Sequence, residues 1–76
     1  MVEGVTLSYK KLWKMLIDKG ISGSQLKEKA GVTTTVMSKL KKDIPVHLEA
    51  LLKICKVLRC GLDEVVEVTV IKNDNI

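Results

Sequence analysis

This chain contains no phenylalanine, and tryptophan and tyrosine occur once each, as Trp13 and Tyr9. Any core must therefore be built mainly from leucine, valine and isoleucine. Histidine also occurs once, as His47, and the two cysteines, Cys55 and Cys60, are neither a CxxC pair nor part of a zinc spacing. A structural zinc takes four ligands, and these residues supply no sensible set, so no metal or other cofactor is expected. There is no glycine-rich phosphate loop. The one pair of adjacent acids, Asp63 and Glu64, reads better as N-terminal charges of a helical turn than as an acid/base pair. With one histidine and no site to assemble, an enzyme is not expected. No apolar run approaches the roughly 20 residues of a membrane span. The opening MVEGVTLSYKK is too polar for a signal peptide, so the expected location is the cytoplasm, with no membrane partner.

What is present is a short, basic, aliphatic chain. Seventy-six residues suit one small domain working through its outer surface, with little room for a ligand cavity and no evident small-molecule substrate. The formal net charge is +4, but it is unevenly spread. Residues 1–60 hold twelve basic and five acidic side chains, giving +7, whereas residues 61–76 hold one and four, giving −3. A basic body suits a phosphate-bearing partner.

The chain divides by its punctuation. Residues 1–7 form an arm carrying Val2, Val5 and Leu7, either frayed or a short strand. Ser8 is a suitable N-cap for a first helix whose apolar face is Tyr9, Leu12, Trp13, Leu16 and Ile17, with Gly20 as its stop. Ser22 and Gln25 have the spacing of a capping box, which predicts a second helix over Gly23–Ala30 with Leu26 and Ala30 inward. Gly31 turns the chain, Val32 fills the turn from inside, and Thr33 caps a third helix over Thr34–Lys41. Val36, Met37 and Leu40 are its buried edge, leaving Thr34, Thr35, Ser38, Lys39 and Lys42 facing out.

After the linker Asp43–Val46, a fourth helix is predicted over Leu48–Leu58, capped by His47 or Val46. Leu48, Leu51, Leu52, Cys55 and Leu58 form its stripe, broadened by Ile54 and Val57. Cys55 therefore reads as a core residue and Cys60 as a partly exposed free thiol. Gly61 ends this helix, and Asp63 can cap a last short turn over Asp63–Val66. The tail alternates like a strand, with Val66, Val68 and Val70 on one face and Glu67, Thr69 and Ile71 on the other. Its partner is either the N-terminal arm or the same tail of a second molecule, and Asn73–Ile76 are expected to be loose.

The pattern L-x-x-x-A-G-V-T-x-x-x-M-x-x-L from Leu26 to Leu40, followed by P-x-x-L-x-x-L-x-x-I-C from Pro45, resembles the Cro/phage-repressor (XRE) type of helix-turn-helix DNA-binding domain. The resemblance covers about residues 8–66. It implies an all-α, five-helix, lambda-repressor-like domain, with possible short terminal β-strands. The expected division is a single domain over 1–76, with the helix-turn-helix core at 8–66, an N-terminal arm at 1–7 and a strand-like tail at 67–76. It also implies a third helix in the major groove of double-stranded DNA and, usually, a homodimer.

Carried onto this chain, the base-reading positions are Thr34, Thr35, Ser38 and Lys39. Lysine donates to guanine O6 and N7, hydroxyls donate or accept, and threonine methyls meet thymine methyls. The phosphate candidates are Ser22, Ser24, Gln25, Lys41 and Lys42, with backbone N–H groups at the starts of the second and fourth helices. Two positions depart from the family: Gly23 stands where glutamine often contacts a phosphate, and Lys27 where alanine usually packs. The implied function is a sequence-specific transcriptional regulator, dimerising through about residues 62–71. The alternative is an antitoxin-like or antagonist protein-interaction module on the same scaffold, with weak or no DNA binding.

Overall fold

The computed structural model describes residues 3–71, so the expected loose end at Asn73–Ile76 lies outside it. The order is strand β1 (Val5–Ser8), helices α1 (Lys10–Lys19), α2 (Gly23–Ala30), α3 (Thr34–Lys41) and α4 (Leu48–Leu58), a 3₁₀ turn (Leu62–Glu64) and strand β2 (Glu67–Val70). The expected boundaries of the second, third and fourth helices agree with those observed. The arm and the tail pair with each other, antiparallel, with Val5 opposite Val70 and Leu7 opposite Val68.

The fifth helix is not formed; a single 3₁₀ turn takes its place. Asp63 does not cap it. Gly61 occupies the cap position, and its N–H donates to the Glu64 carboxylate at 3.0 Å. Val65 is wholly buried directly after the turn, and pairing with β1 begins at Glu67, so the chain must extend before another helical turn can close. Helix α1 likewise starts later than expected. Ser8 belongs to β1, and Tyr9 takes the cap position, although the Ser8 hydroxyl accepts from the Lys10 N–H at 3.1 Å.

The core is aliphatic around one tyrosine. Leu12, Leu26, Leu40, Ile54, Val65 and Tyr9 are its most deeply buried members, and Trp13 and Cys55 pack partly buried against it. Two expectations about its edges are corrected. Ile17 is 79% exposed, because the inner face of α1 is centred on Leu12 and Leu16 and nothing among the described residues covers its flank. On α4, Leu48 and Leu52 are 57% and 54% exposed. Helix α2 packs against α4, and the buried row of α4 is Leu51, Ile54 and Leu58, rotated away from the leucine pair.

All four helices end in the same way. A left-handed residue lies just past each helix: Gly20 (φ 67), Gly31 (φ 68) and Arg59 (φ 54) follow α1, α2 and α4 directly, and Asp43 (φ 56) follows α3 one residue beyond Lys42. The next N–H then donates five residues back: Ile21 to Leu16, Val32 to Lys27, Ile44 to Lys39 and Cys60 to Cys55, at 2.9–3.2 Å. This is the six-residue Schellman cap, which satisfies carbonyls that the helix leaves unpaired. Glycine adopts this conformation freely. Asp43 is held in it by a further contact, since its carboxylate accepts from the Tyr9 N–H at 3.0 Å.

Tyr9 closes the same junction from its other end, where its hydroxyl donates to the Ile44 carbonyl at 3.0 Å. Tyr9→Phe deletes that bond, with an expected loss of about 1–2 kcal/mol in urea unfolding. Burial, the largest cause, raises the Tyr9 pKa above its ordinary value of 10.0, with the Asp43 charge adding to the rise. The folded state therefore holds the phenolic proton longer than the unfolded chain. The stability this contributes is complete below pH 10.0 and is lost as pH rises toward the folded-state value. Above that point wild type is expected to lose stability with rising pH in a way that Tyr9→Phe does not. The single tyrosine's phenolate absorbance reports the titration directly.

Candidate nucleic-acid interface

Helices α2 and α3 are each eight residues long and too short to be stable alone. Their ends are fixed by side chains. The Ser22 hydroxyl accepts from the Gln25 N–H at 3.1 Å while the Gln25 carbonyl oxygen accepts from the Ser22 N–H at 2.8 Å, completing the capping box. Thr33 is extended, and its hydroxyl accepts from the Val36 N–H at 3.2 Å to start α3.

Packing then orients α3. Met37 and Leu40 are buried and Val36 is half-buried, which leaves Thr34, Thr35, Ser38 and Lys39 outward. These four side chains line one shallow concavity together with Lys42 and Ile44. A second groove runs beside it between α2 and α3, edged by Ser22, Ser24, Lys27, Thr34 and Lys41 over a floor of Trp13, Gly23 and Met37. Lys42 thus shares the concavity of the four base-reading candidates, and Ser22, Ser24 and Lys41 lie along the adjacent groove. Gln25 lines neither, because its carbonyl oxygen is turned back into the capping box. Lys27 is half-buried, consistent with an aliphatic stem laid along the groove and its ammonium at the rim.

The surface is electrostatically open. Among the described residues the one ion pair is Glu49–Lys53 at 3.8 Å, which is exposed and contributes little. Lys39, Lys41 and Lys42 are exposed and take no part in it. The first turns of α2 and α3 carry no acids, so their N-terminal partial positive charge is not offset by side chains. The start of α4 differs, because Glu49 sits in its first turn and makes it a poorer phosphate site than the start of α2.

A model of the Cro/C1-type helix-turn-helix DNA-binding domain matches residues 11–70. The chain belongs to that family. The crystal structure of the transcriptional regulator VanUg (form II) is similar, with a TM-score of 0.85 and 38% sequence identity. The match covers 91% of this chain and 92% of that one. No curated relative matches.

As a Cro/C1-type domain, the chain places α3 by contacts that sequence reasoning did not find. Trp13 Nε1 donates to the Leu40 carbonyl at 3.4 Å, and Tyr9 engages Asp43 and Ile44. These partners are 27 to 35 residues apart, so no local pattern announces them. The Gly23 departure has a visible consequence. A Cβ there would sit 3.7 Å from the Met37 methyl and 3.9 Å from the Trp13 ring, so the glycine leaves the floor of the groove open.

Thr33→Ala removes the cap of α3 and is expected to cost about 1 kcal/mol in denaturant unfolding. Thr33→Ser, which keeps the accepting oxygen, should recover most of it. A full loss in both variants would show that the hydroxyl bond does not hold the start of the helix.

Proposed function

We propose that this protein is a sequence-specific transcriptional regulator that inserts α3 into the major groove of double-stranded DNA as a homodimer. The observation that carries the reading is the row of Thr34, Thr35, Ser38 and Lys39 on one exposed concavity, with Lys42 at its edge. Lys39 reads guanine acceptors, and the short threonine and serine side chains lean toward thymine and toward shape-dependent readout. Ser22, Ser24, Lys41 and Lys42 take the flanking phosphates. Gln25 keeps its amide donors for the same purpose, and the Ser22 hydroxyl proton is also left to donate. The family match and the similarity to a transcriptional regulator support this reading over a protein-interaction module.

A homodimer sets two α3 helices about one helical turn apart, roughly 34 Å. We place its interface in the region 62–71. Cross-strand partners share a face, so Val5, Leu7, Val68 and Val70 form one apolar face of the ribbon. Val68 and Val70 are 59% and 62% exposed, and Ile71 and Leu62 add apolar surface nearby. A two-stranded ribbon is marginal in water by itself, and stacking two such faces would remove both from solvent.

Selection from random DNA at near-physiological salt tests the groove assignment. Wild type is expected to recover a two-fold-symmetric motif. Lys39→Ala should cost about 1–3 kcal/mol on that motif and relax preference at one base position. Lys42→Ala should weaken binding to all sequences and lower the salt slope by about 1. Binding without any motif, indifferent to Thr35→Ala, would mean that the basic charge acts non-specifically.

Sedimentation tests the interface separately. Val68→Glu lies on an exposed face and should leave the fold intact while converting a dimer to a monomer. Unchanged mass would move the interface elsewhere without touching the reading of α3.

A further inference from the structure

The two cysteines belong to one helix cap. In the cap that ends α4, Arg59 is the left-handed residue, and the Cys60 backbone N–H donates to the Cys55 carbonyl at 3.2 Å. The residues joined by this bond commonly bring their side chains together. In the other three caps those pairs are Leu16 with Ile21, Lys27 with Val32 and Lys39 with Ile44. Only the fourth cap joins two cysteines. Both thiols are free and half-buried, and both pack against the core. A disulfide requires Cα atoms roughly 4.4–6.8 Å apart, and a direct backbone hydrogen bond between the two residues is the short-range relation it needs.

We infer that Cys55 and Cys60 form a closable dithiol, whose oxidation by a small disulfide clamps the end of α4 to the chain leading into β2. In the first step one thiol loses its proton, and its thiolate attacks a sulfur of glutathione disulfide, expelling one glutathione thiolate. The second cysteine thiolate then attacks the protein-side sulfur of the mixed disulfide and expels the other glutathione. The protein gives up two electrons and two protons, and glutathione disulfide is reduced to two glutathiones. The product is a covalent ring over Arg59, the left-handed residue of this cap that is neither glycine nor braced like Asp43.

The surroundings set the rate. Burial is the main cause raising the Cys60 pKa above the ordinary thiol value, followed by the neighbouring Cys55 thiol and by Glu64 of the 3₁₀ turn, while Lys19 at the end of α1 opposes them. Cys60 therefore stays protonated near neutrality and attacks slowly, faster by about tenfold per pH unit below its pKa.

The test uses the whole wild-type chain and oxidised glutathione. Intact mass is expected to fall by two hydrogens, with both cysteines protected from alkylation. The oxidised protein should melt about 10 °C above the same sample with reductant, the shift expected for closing a six-residue loop in a domain of this size. Cys55→Ser and Cys60→Ser should each retain a stable glutathione adduct instead. Accumulation of glutathione adducts or covalent dimers in wild type would overturn the proposal. So would a closed form that melts no higher than the open one. None of these readouts depends on DNA binding.

Discussion

The junction between α1 and the end of α3 is the contact on which the rest of the site depends. Helix α3 is eight residues long, with one narrow buried edge, and it must present its opposite face to solvent. It cannot hold its own angle. Tyr9 and Trp13 hold it instead, through the Asp43 carboxylate and the Ile44 and Leu40 carbonyls. Buried carbonyls and N–H groups are costly when unpaired, so these three bonds fix one arrangement of α3 against α1. The chain's only two aromatic residues are both spent at this junction.

The same economy explains the division of labour along the surface. Side chains that cap helices are only partly available to a ligand, as Gln25 illustrates, whereas those of the outward α3 face have no hydrogen-bond or ion-pair partner among the described residues. Thr34, Thr35, Ser38 and Lys39 are exposed because Val36, Met37 and Leu40 supply all the burial that α3 can offer. The Cro/C1-type architecture thus separates residues that make the helices from residues that can meet DNA, with few doing both.

Much of the fold was legible because its signals are local. Capping residues at Ser22 and Thr33, left-handed glycines at Gly20 and Gly31, and the apolar spacing between them delimit α2 and α3 to the residue. Legibility failed where the decision belonged to a distant partner. Leu48 and Leu52 fit a helical stripe as well as Ile54 does, and only the direction from which α2 approaches α4 decides which of them is covered. The fifth helix failed for the same reason, since pairing with β1 begins at Glu67, directly after the residues that it would have used, and draws the chain into an extended path.

The sequence by itself determined the helix-turn-helix pair, its basic body and the outward row on α3, because caps, turns and periodicity act within a few residues. The tertiary structure alone decided that arm and tail pair within one chain and that Asp43 adopts a left-handed turn against Tyr9. Each of these depends on where the chain returns in space. No spacing along the sequence encodes such a meeting, because its stabilisation comes from groups up to 65 residues apart, as Val5 and Val70 are.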